Sequence, residues 1–218
     1  MINIADRNIR QQELVPPEKL ATTRATVVGV GAIGRQVALQ LAAIGVPQIQ
    51  LIDHDTVKVE NLAAQSFYEN DLDISKVYAV ADICRAINSE IQVVTANRKF
   101  QSIQFSGGVC FCCVDGIETR RRIFNAVNQR ASLFLDARMA AEYLRILTVW
   151  DDISKQYFPT TLFPSSEAYR GSCTAKSTIY CANIAAGMMV AQFAKWLRGC
   201  DLDKDIDMNL LTNEMGVK

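Results

Sequence analysis

The chain has 218 residues, 50% of them hydrophobic and 21% charged, enough for one domain with a sizeable core and too few for two full ones. Lysine plus arginine (23) equals aspartate plus glutamate (23), so the basic excess of a general nucleic-acid or acidic-membrane binder is missing. The N-terminus has no signal-peptide pattern and reads polar and charged from Asp6 to Glu13. Seven cysteines are present (Cys84, Cys110, Cys112, Cys113, Cys173, Cys181 and Cys200), an odd number with three crowded into "GGVCFCCVDG". That crowding fits a reducing cytoplasm better than an extracellular disulfide framework. Cys110 and Cys113 have Cys-x-x-Cys spacing, but a buried strand turns its side chains to alternate faces. With no second pair and His54 as the only histidine, a tetrahedral zinc site is not expected.

In chain order, residues 1–24 read as an arm whose Pro16-Pro17 introduces a short helix, and residues 25–218 as a single domain. "ATVVGVG" is an apolar, β-branched strand and "GRQVALQLAAIG" a helix closed by Gly45. "QIQLID" is the second strand, "SKVYAVADICRAIN" an amphipathic helix and "IQVVTA" the next strand. "VCFCCVD", the helix "ETRRRIFNAVNQR" and the strand "SLFLDAR" follow, then "YLRILTVW" as an antiparallel strand at the far side. Strands alternating with helices imply an α/β fold, a mostly parallel sheet covered on both faces. A polar crossover loop rich in Ser, Pro and Thr spans about 151–177. "TIYCANIAAGMMVAQFAKW" is the most apolar segment, yet slightly short for a membrane span and interrupted by Asn183, Gln192 and Lys195. Its small residues favour a buried core helix, and no membrane association is expected. The tail "IDMNLLTNEMGV" supplies a final edge strand.

Gly29-x-Gly31-x-x-Gly34 follows a strand and opens a helix, the context that gives this motif meaning. Its glycines allow a tight turn and close approach of backbone to phosphate, and the helix N-terminus offers free N–H groups. Asp53, ending the second strand, can accept hydrogen bonds from ribose hydroxyls. NAD, FAD and ATP all remain possible ligands of such a loop. The flanking sequence argues against a dehydrogenase, because little chain is left for a substrate domain and His54 reads as a loop histidine.

The order of motifs resembles the ThiF/MoeB/ubiquitin-activating (HesA) superfamily of adenylating enzymes, from about Arg7 to the C-terminal helix. "RNIRQQEL" is similar to its Arg-x-x-Arg-Gln opening, matching Arg7 and Arg10, the second of which reaches the ATP of a neighbouring subunit in the family. "VGVGAIG" matches the loop over the nucleotide and so carries Gly29, Gly31, Ala32, Ile33 and Gly34. "LIDHDTVKVENL" matches the ribose aspartate at Asp53, with Asp55 behind it and the Asn-Leu pair at Asn61. Lys76 falls at the triphosphate lysine, Asp115 at the magnesium aspartate and Arg120 at the arginine that follows it. The resemblance implies a Rossmann-like sheet with antiparallel strands toward the C-terminus, ATP and Mg²⁺ as ligands, and a homodimer or a heterodimer with a related subunit. It also implies adenylation of the C-terminal carboxylate of a ubiquitin-like or sulfur-carrier protein. Lys76 and Arg10 would stabilise charge moving onto pyrophosphate, with no general base required.

Three features depart from the pattern. "NLAAQ" has Ala64 where Asn-Leu-x-Arg-Gln is usual, "DGIETR" has Gly116 where Asn is common, and the zinc knuckles of many bacterial members are missing. Arg35 and Lys58 are the cations available to compensate at Ala64. "YRGSCTAKSTIYC" resembles the segment around the thioester cysteine of eukaryotic ubiquitin-activating enzymes, and Arg170 and Lys176 would favour a thiolate at Cys173. Two other readings stand beside adenylation: a catalytically silent subunit that dimerises with an active partner, and an NAD-dependent oxidoreductase.

Overall fold

Short β-branched and apolar runs alternate with amphipathic helices through most of the chain, and the computed structural model, which describes residues 7–164 and 177–218, folds them into one sheet with helices on both faces. In chain order the elements are α1 (Pro17–Leu20), β1 (Arg24–Val28), α2 (Ala32–Ile44), β2 (Gln48–Asp53), α3 (Val59–Gln65), α4 (Lys76–Ile87) and β3 (Gln92–Asn97). They continue with β4 (Gly108–Cys112), α5 (Ile117–Val127), β5 (Ala131–Ala140), β6 (Tyr143–Val149), α6 (Asp152–Tyr157), α7 (Ile179–Arg198), β7 (Asp205–Asn209) and β8 (Glu214–Val217). The strand order is β3-β2-β1-β4-β5-β6-β7-β8. The first five strands in that order are parallel, and β6, β7 and β8 join antiparallel. Chain direction across the sheet reverses between β1 and β4, a switch point at which the loops leaving the strand ends diverge and open a crevice.

Alternation within each strand divides the core into two layers. Val27, Val109, Phe111, Leu133 and Leu135 face α2, α4 and α7, whereas Val28, Cys110, Cys112 and Phe134 face α5 and the segment after α6. The second layer is aromatic, with Phe124, Phe134 and Phe158 in edge-on and tilted contacts at 4.4–5.3 Å between ring centroids. Cys110 and Cys112 therefore lie on one face as buried thiols, and burial pushes both thiol pKa values up. The apolar segment is α7, which buries Ala182, Ala185, Ala186, Met189 and Phe193 in the first layer. No helix among the described residues is long and apolar enough to cross a membrane.

Three elements differ from the sequence expectation. Helix α3 is additional, a short segment whose Asn61 side chain accepts the Lys58 N–H and caps its own N-terminus. The expected loop from 151 begins instead with α6, started by a reciprocal pair in which the Asp151 carboxylate accepts the Ser154 N–H and the Ser154 hydroxyl accepts the Asp151 N–H. The expected final strand is a hairpin, β7 turning into β8, with Asn213 in the left-handed region (φ 58°) before β8.

Asp136 on β5 is completely buried between two arginines: Arg120 on α5 donates to one carboxylate oxygen and Arg138 Nε to the other, at 2.8 Å for the latter. Arg120 also donates to the carbonyls of Ala137 (2.8 Å) and Val114, and Arg138 to the Thr161 carbonyl (2.7 Å) and hydroxyl (2.9 Å). Burial opposes the charge on Arg120, but the Asp136 carboxylate outweighs it and holds the guanidinium more firmly protonated than usual. Removing the carboxylate leaves two cations with no counter-charge in a dry site. Asp136→Ala is therefore expected to destabilise the fold by about 3–5 kcal/mol, read as a lower urea midpoint.

Candidate functional site

The crevice at the switch point is a cleft of about 1250 Å³ at the C-terminal ends of the parallel strands. Gly29, Gly31, Ala32 and Ile33 form its floor, Asp53 and Asp55 its β2 side, Asn61 and Lys76 its α3–α4 wall, and Asp115 its β4 rim. Chain segments far apart in sequence thus meet at one surface.

The floor is built by close packing. Gly29 has a φ of +84°, and a Cβ there would lie 2.9 Å from the backbone of Cys113. Gly34 is not part of the lining. It lies beneath the loop, where a Cβ would overlap the Gly29 carbonyl oxygen, so its role is to let α2 dock under the turn and not to touch a ligand. The first N–H groups of α2 lack intrahelical partners and favour an anion at this end of the cleft.

Both Asp53 oxygens brace the loop: Oδ2 accepts the Val30 N–H at 2.8 Å and Oδ1 the Asp55 N–H at 2.9 Å. Each oxygen keeps lone-pair capacity for a hydroxyl donor from the cleft. Lys76 opens α4 with its side chain 7% exposed and its Nζ 3.1 Å from Asp55 Oδ2, while its backbone N–H donates to the Asp55 carbonyl at 3.0 Å. Asp55 thereby aims the lysine across the strand end. The exposed His54 lies beside them, 3.6 Å from Asp55. The ligand atoms of Asp53, His54 and Asp55 fall within 4.8 Å of one another, but Val30, the Asp55 amide and Lys76 already engage the carboxylates. We read the trio as a hydrogen-bonded strand end.

Asp115 is exposed on the loop between β4 and α5, and among the described residues no hydrogen bond holds its carboxylate. It does not cap α5, whose N-cap is Gly116 without a side-chain bond. Arg120, expected to follow it in the site, lies at the edge of the cleft but spends its donors on Asp136, Ala137 and Val114. Its bond to the Val114 carbonyl pins the residue before Asp115.

Arg7 and Arg10 are not brought to this cleft. Arg7 donates to the Ile87 carbonyl at 2.7 Å, the last residue of α4, whereas Lys76 is the first. At 1.5 Å per residue the two ends of α4 are roughly 16 Å apart. Val15 and Leu20 bury the arm in the first core layer, Leu20 beside Gly45 at the end of α2, and Arg10 is left exposed. Neither proposed substitute for the missing arginine faces the cleft. Arg35 is 2% exposed, with its guanidinium 5.4 Å from the Phe67 ring centroid and 5.7 Å from that of Tyr68. Its burial lowers the guanidinium pKa. Lys58 points at Asp73, 3.7 Å away. Cys173, Arg170 and Lys176 lie outside the described residues.

The structure adds lining residues that the sequence had not marked: Gln65, Arg98, Lys99, Phe100, Thr119 and Arg122. Residues 98–100 directly follow β3, so parallel pairing of that strand would have placed them at the same edge.

A match to the ThiF family runs over residues 5–216. The Bacillus subtilis sulfur carrier protein ThiS adenylyltransferase is 30% identical over 154 residues, 64% of this chain and 46% of that protein. The maize adenylyltransferase and sulfurtransferase MOCS3-1 is 44% identical over 77 residues, 35% of this chain and 16% of that protein. The chain thus spans less than half the length of these curated relatives. Among solved structures, Escherichia coli MccB with AMPCPP and MccA superposes with a TM-score of 0.76 at 18% identity, covering 99% of this chain and 72% of that one. With the family match covering nearly the whole length, the chain belongs to the ThiF family.

Proposed function

We propose that this chain binds Mg-ATP in the switch-point cleft and adenylates the C-terminal carboxylate of a ubiquitin-like or sulfur-carrier protein. The observation that carries the reading is the meeting of the glycine loop, Asp53, Lys76 and Asp115, whose carboxylate has no hydrogen-bond partner among the described residues, around one cleft. The sulfur-carrier adenylyltransferase among the relatives supports the same chemistry. In this reading Asp53 accepts from the ribose hydroxyls and the α2 N-terminus faces the phosphates. Asp115, whose carboxylate is not committed to α5, holds Mg²⁺, which shields phosphate charge when bound. A carboxylate oxygen of the protein substrate attacks the α-phosphorus, the new P–O bond replaces the bond to the β-phosphate oxygen, and pyrophosphate leaves. Lys76 stabilises charge on the departing group, and the step moves no proton. Arg10, too far along the arm to serve its own cleft, acts across a dimer. Where the reaction passes through a thioester, the Cys173 thiol loses its proton to solvent and attacks the acyl carbonyl of the adenylate, the new C–S bond replacing the acyl–phosphate bond as AMP leaves.

The test is ATP–pyrophosphate isotope exchange with candidate carrier proteins ending in a free carboxylate. Exchange that requires the carrier and magnesium supports the proposal, and exchange that never exceeds the enzyme-free control contradicts it. One observation favours a second reading. Ala64 adds no side chain to the cleft, and neither Arg35 nor Lys58 replaces the missing cation there. A silent subunit that lends Arg10 to an active partner gives no exchange alone and stimulates exchange by that partner.

A further inference from the structure

Asp136 is met by more positive charge than it can neutralise. Arg120 already pairs with it from α5, yet Arg138, two residues further along β5 and largely buried, takes the other carboxylate oxygen. A second arginine is a costly choice here, because its register partner on β6 is Arg145, and like charges directly opposite on a sheet repel. Arg145 grips both oxygens of a carboxylate of its own, Asp205, at 2.8 and 2.7 Å, and leaves Asp136 to Arg120 and Arg138. Charge balance therefore does not account for Arg138.

Its geometry does. Every nitrogen of the guanidinium is used: Nε on Asp136, one terminal nitrogen on the Thr161 carbonyl and the other on the Thr161 hydroxyl. That hydroxyl donates in turn to the Phe158 carbonyl at 2.7 Å, so Thr161 is itself anchored. With Arg120 alone, one oxygen of Asp136 would be engaged, and the terminal torsion of a carboxylate is broad enough to let it turn. Arg138 fixes the second oxygen and with it the plane of the carboxylate. That plane aims Arg120, whose other terminal nitrogen donates to the Val114 carbonyl, next to Asp115. The Asp115 carboxylate, without a hydrogen-bond partner among the described residues, takes its place from the backbone that this bond holds. Arg138 is not part of the cleft lining. Resting on the reading of Asp115 as the magnesium carboxylate, we infer that Arg138 is a positioning residue for the metal. It orients Asp136, hence Arg120, hence the backbone that carries Asp115.

Arg138→Met keeps an unbranched stem and leaves Asp136 and Arg120 as a one-to-one pair, so the protein folds, as urea unfolding will report. Two measurements on it test the inference. In the ligand-free protein, ¹⁵N relaxation gives the backbone order parameter at Asp115, which is expected to fall in Arg138→Met. Calorimetric titration of ATP over a range of Mg²⁺ concentrations follows the parent, Arg138→Met, Asp115→Asn and the double variant. Arg138→Met is expected to need roughly 3- to 30-fold more Mg²⁺ for half-saturation, with magnesium-free ATP affinity unchanged. The same substitution adds no further loss in the Asp115→Asn background. Arg138→Lys recovers only part of the effect, because an ammonium cannot span Asp136 and Thr161 at once. An order parameter at the parent value overturns the inference. So does a loss that adds fully to that of Asp115→Asn, which would make Arg138 a structural arginine. An Asp115→Asn protein that responds to Mg²⁺ like the parent removes the magnesium reading and this inference with it. That failure is told apart from the others because the ligand-free order parameter still falls.

Discussion

Lys76→Gln lowers the rate of carrier-dependent pyrophosphate exchange by about 10²–10³-fold, the loss typical when one preorganised donor is taken from a developing negative charge. The lysine is almost completely buried at the first turn of α4, so its charge acts with little screening by water. The same substitution leaves Asp55 facing the phosphates without its cation, and Mg-ATP affinity falls as well. Lys76→Arg restores charge but not the point geometry set by Asp55, and recovers only part of the rate. A Lys76→Gln protein that exchanges at the parent rate would show that this cation serves only to tie α4 to β2.

Gly34→Ala abolishes measurable binding of a non-hydrolysable ATP analogue, although Gly34 touches no ligand. Its added methyl group would occupy the space of the Gly29 carbonyl oxygen and also press on Cys113, so either the loop or α2 must shift. The first neighbour is backbone, and the second directly follows β4, where its N–H donates to the Val28 carbonyl at 2.8 Å, so both have little room to yield. Overpacking of this kind costs about 1–3 kcal/mol of stability, and the displaced loop loses the register of its N–H groups. Titration calorimetry on the variant checks this directly. Parent-like affinity would mean that the loop conformation is not what binds the nucleotide. Gly187, by contrast, has open space where a Cβ would stand and serves as a control substitution in a helix of the same layer.

Much of the fold could be read from local pattern. "QIQLID" coincides with β2, and the alternation in "VCFCC" correctly separates Cys110 and Cys112 from Phe111 across the sheet. The apolar helix at 179–198 declares its core role through small residues on one face. Short elements escaped because their signals are capping pairs and not periodicity: α3 begins where the Asn61 side chain accepts the Lys58 N–H, and α6 on Asp151–Ser154. The hairpin of β7 and β8 depends on a left-handed asparagine, Asn213, at the end of the turn that begins with Leu210 and Leu211.

In the site, residues at the ends of strands were legible because parallel strands deliver their C-termini to one edge. Asp53, which ends β2, and Asp115, which follows β4, are such residues. Partnership was not legible. That Arg120 belongs to Asp136, that Arg7 caps the distal end of α4 and that Arg35 stacks on Phe67 all depend on contacts between distant segments. Gln65 sat in plain view beside Ala64, yet only the folded structure shows that it lines the cleft.

The central claim is that the glycine-loop cleft holds an adenylating nucleotide with its metal and not a hydride carrier. Thermal unfolding of the parent protein and of Asp115→Ala, each with Mg-ATP and separately with NADH, tests it most directly. At 100 times its dissociation constant a ligand of the native state adds roughly 2.7 kcal/mol, a readily visible rise in melting temperature. The account predicts that Mg-ATP stabilises the parent, that the shift is lost in Asp115→Ala, and that NADH has no effect on either. Stabilisation by NADH alone, indifferent to Asp115, would contradict it.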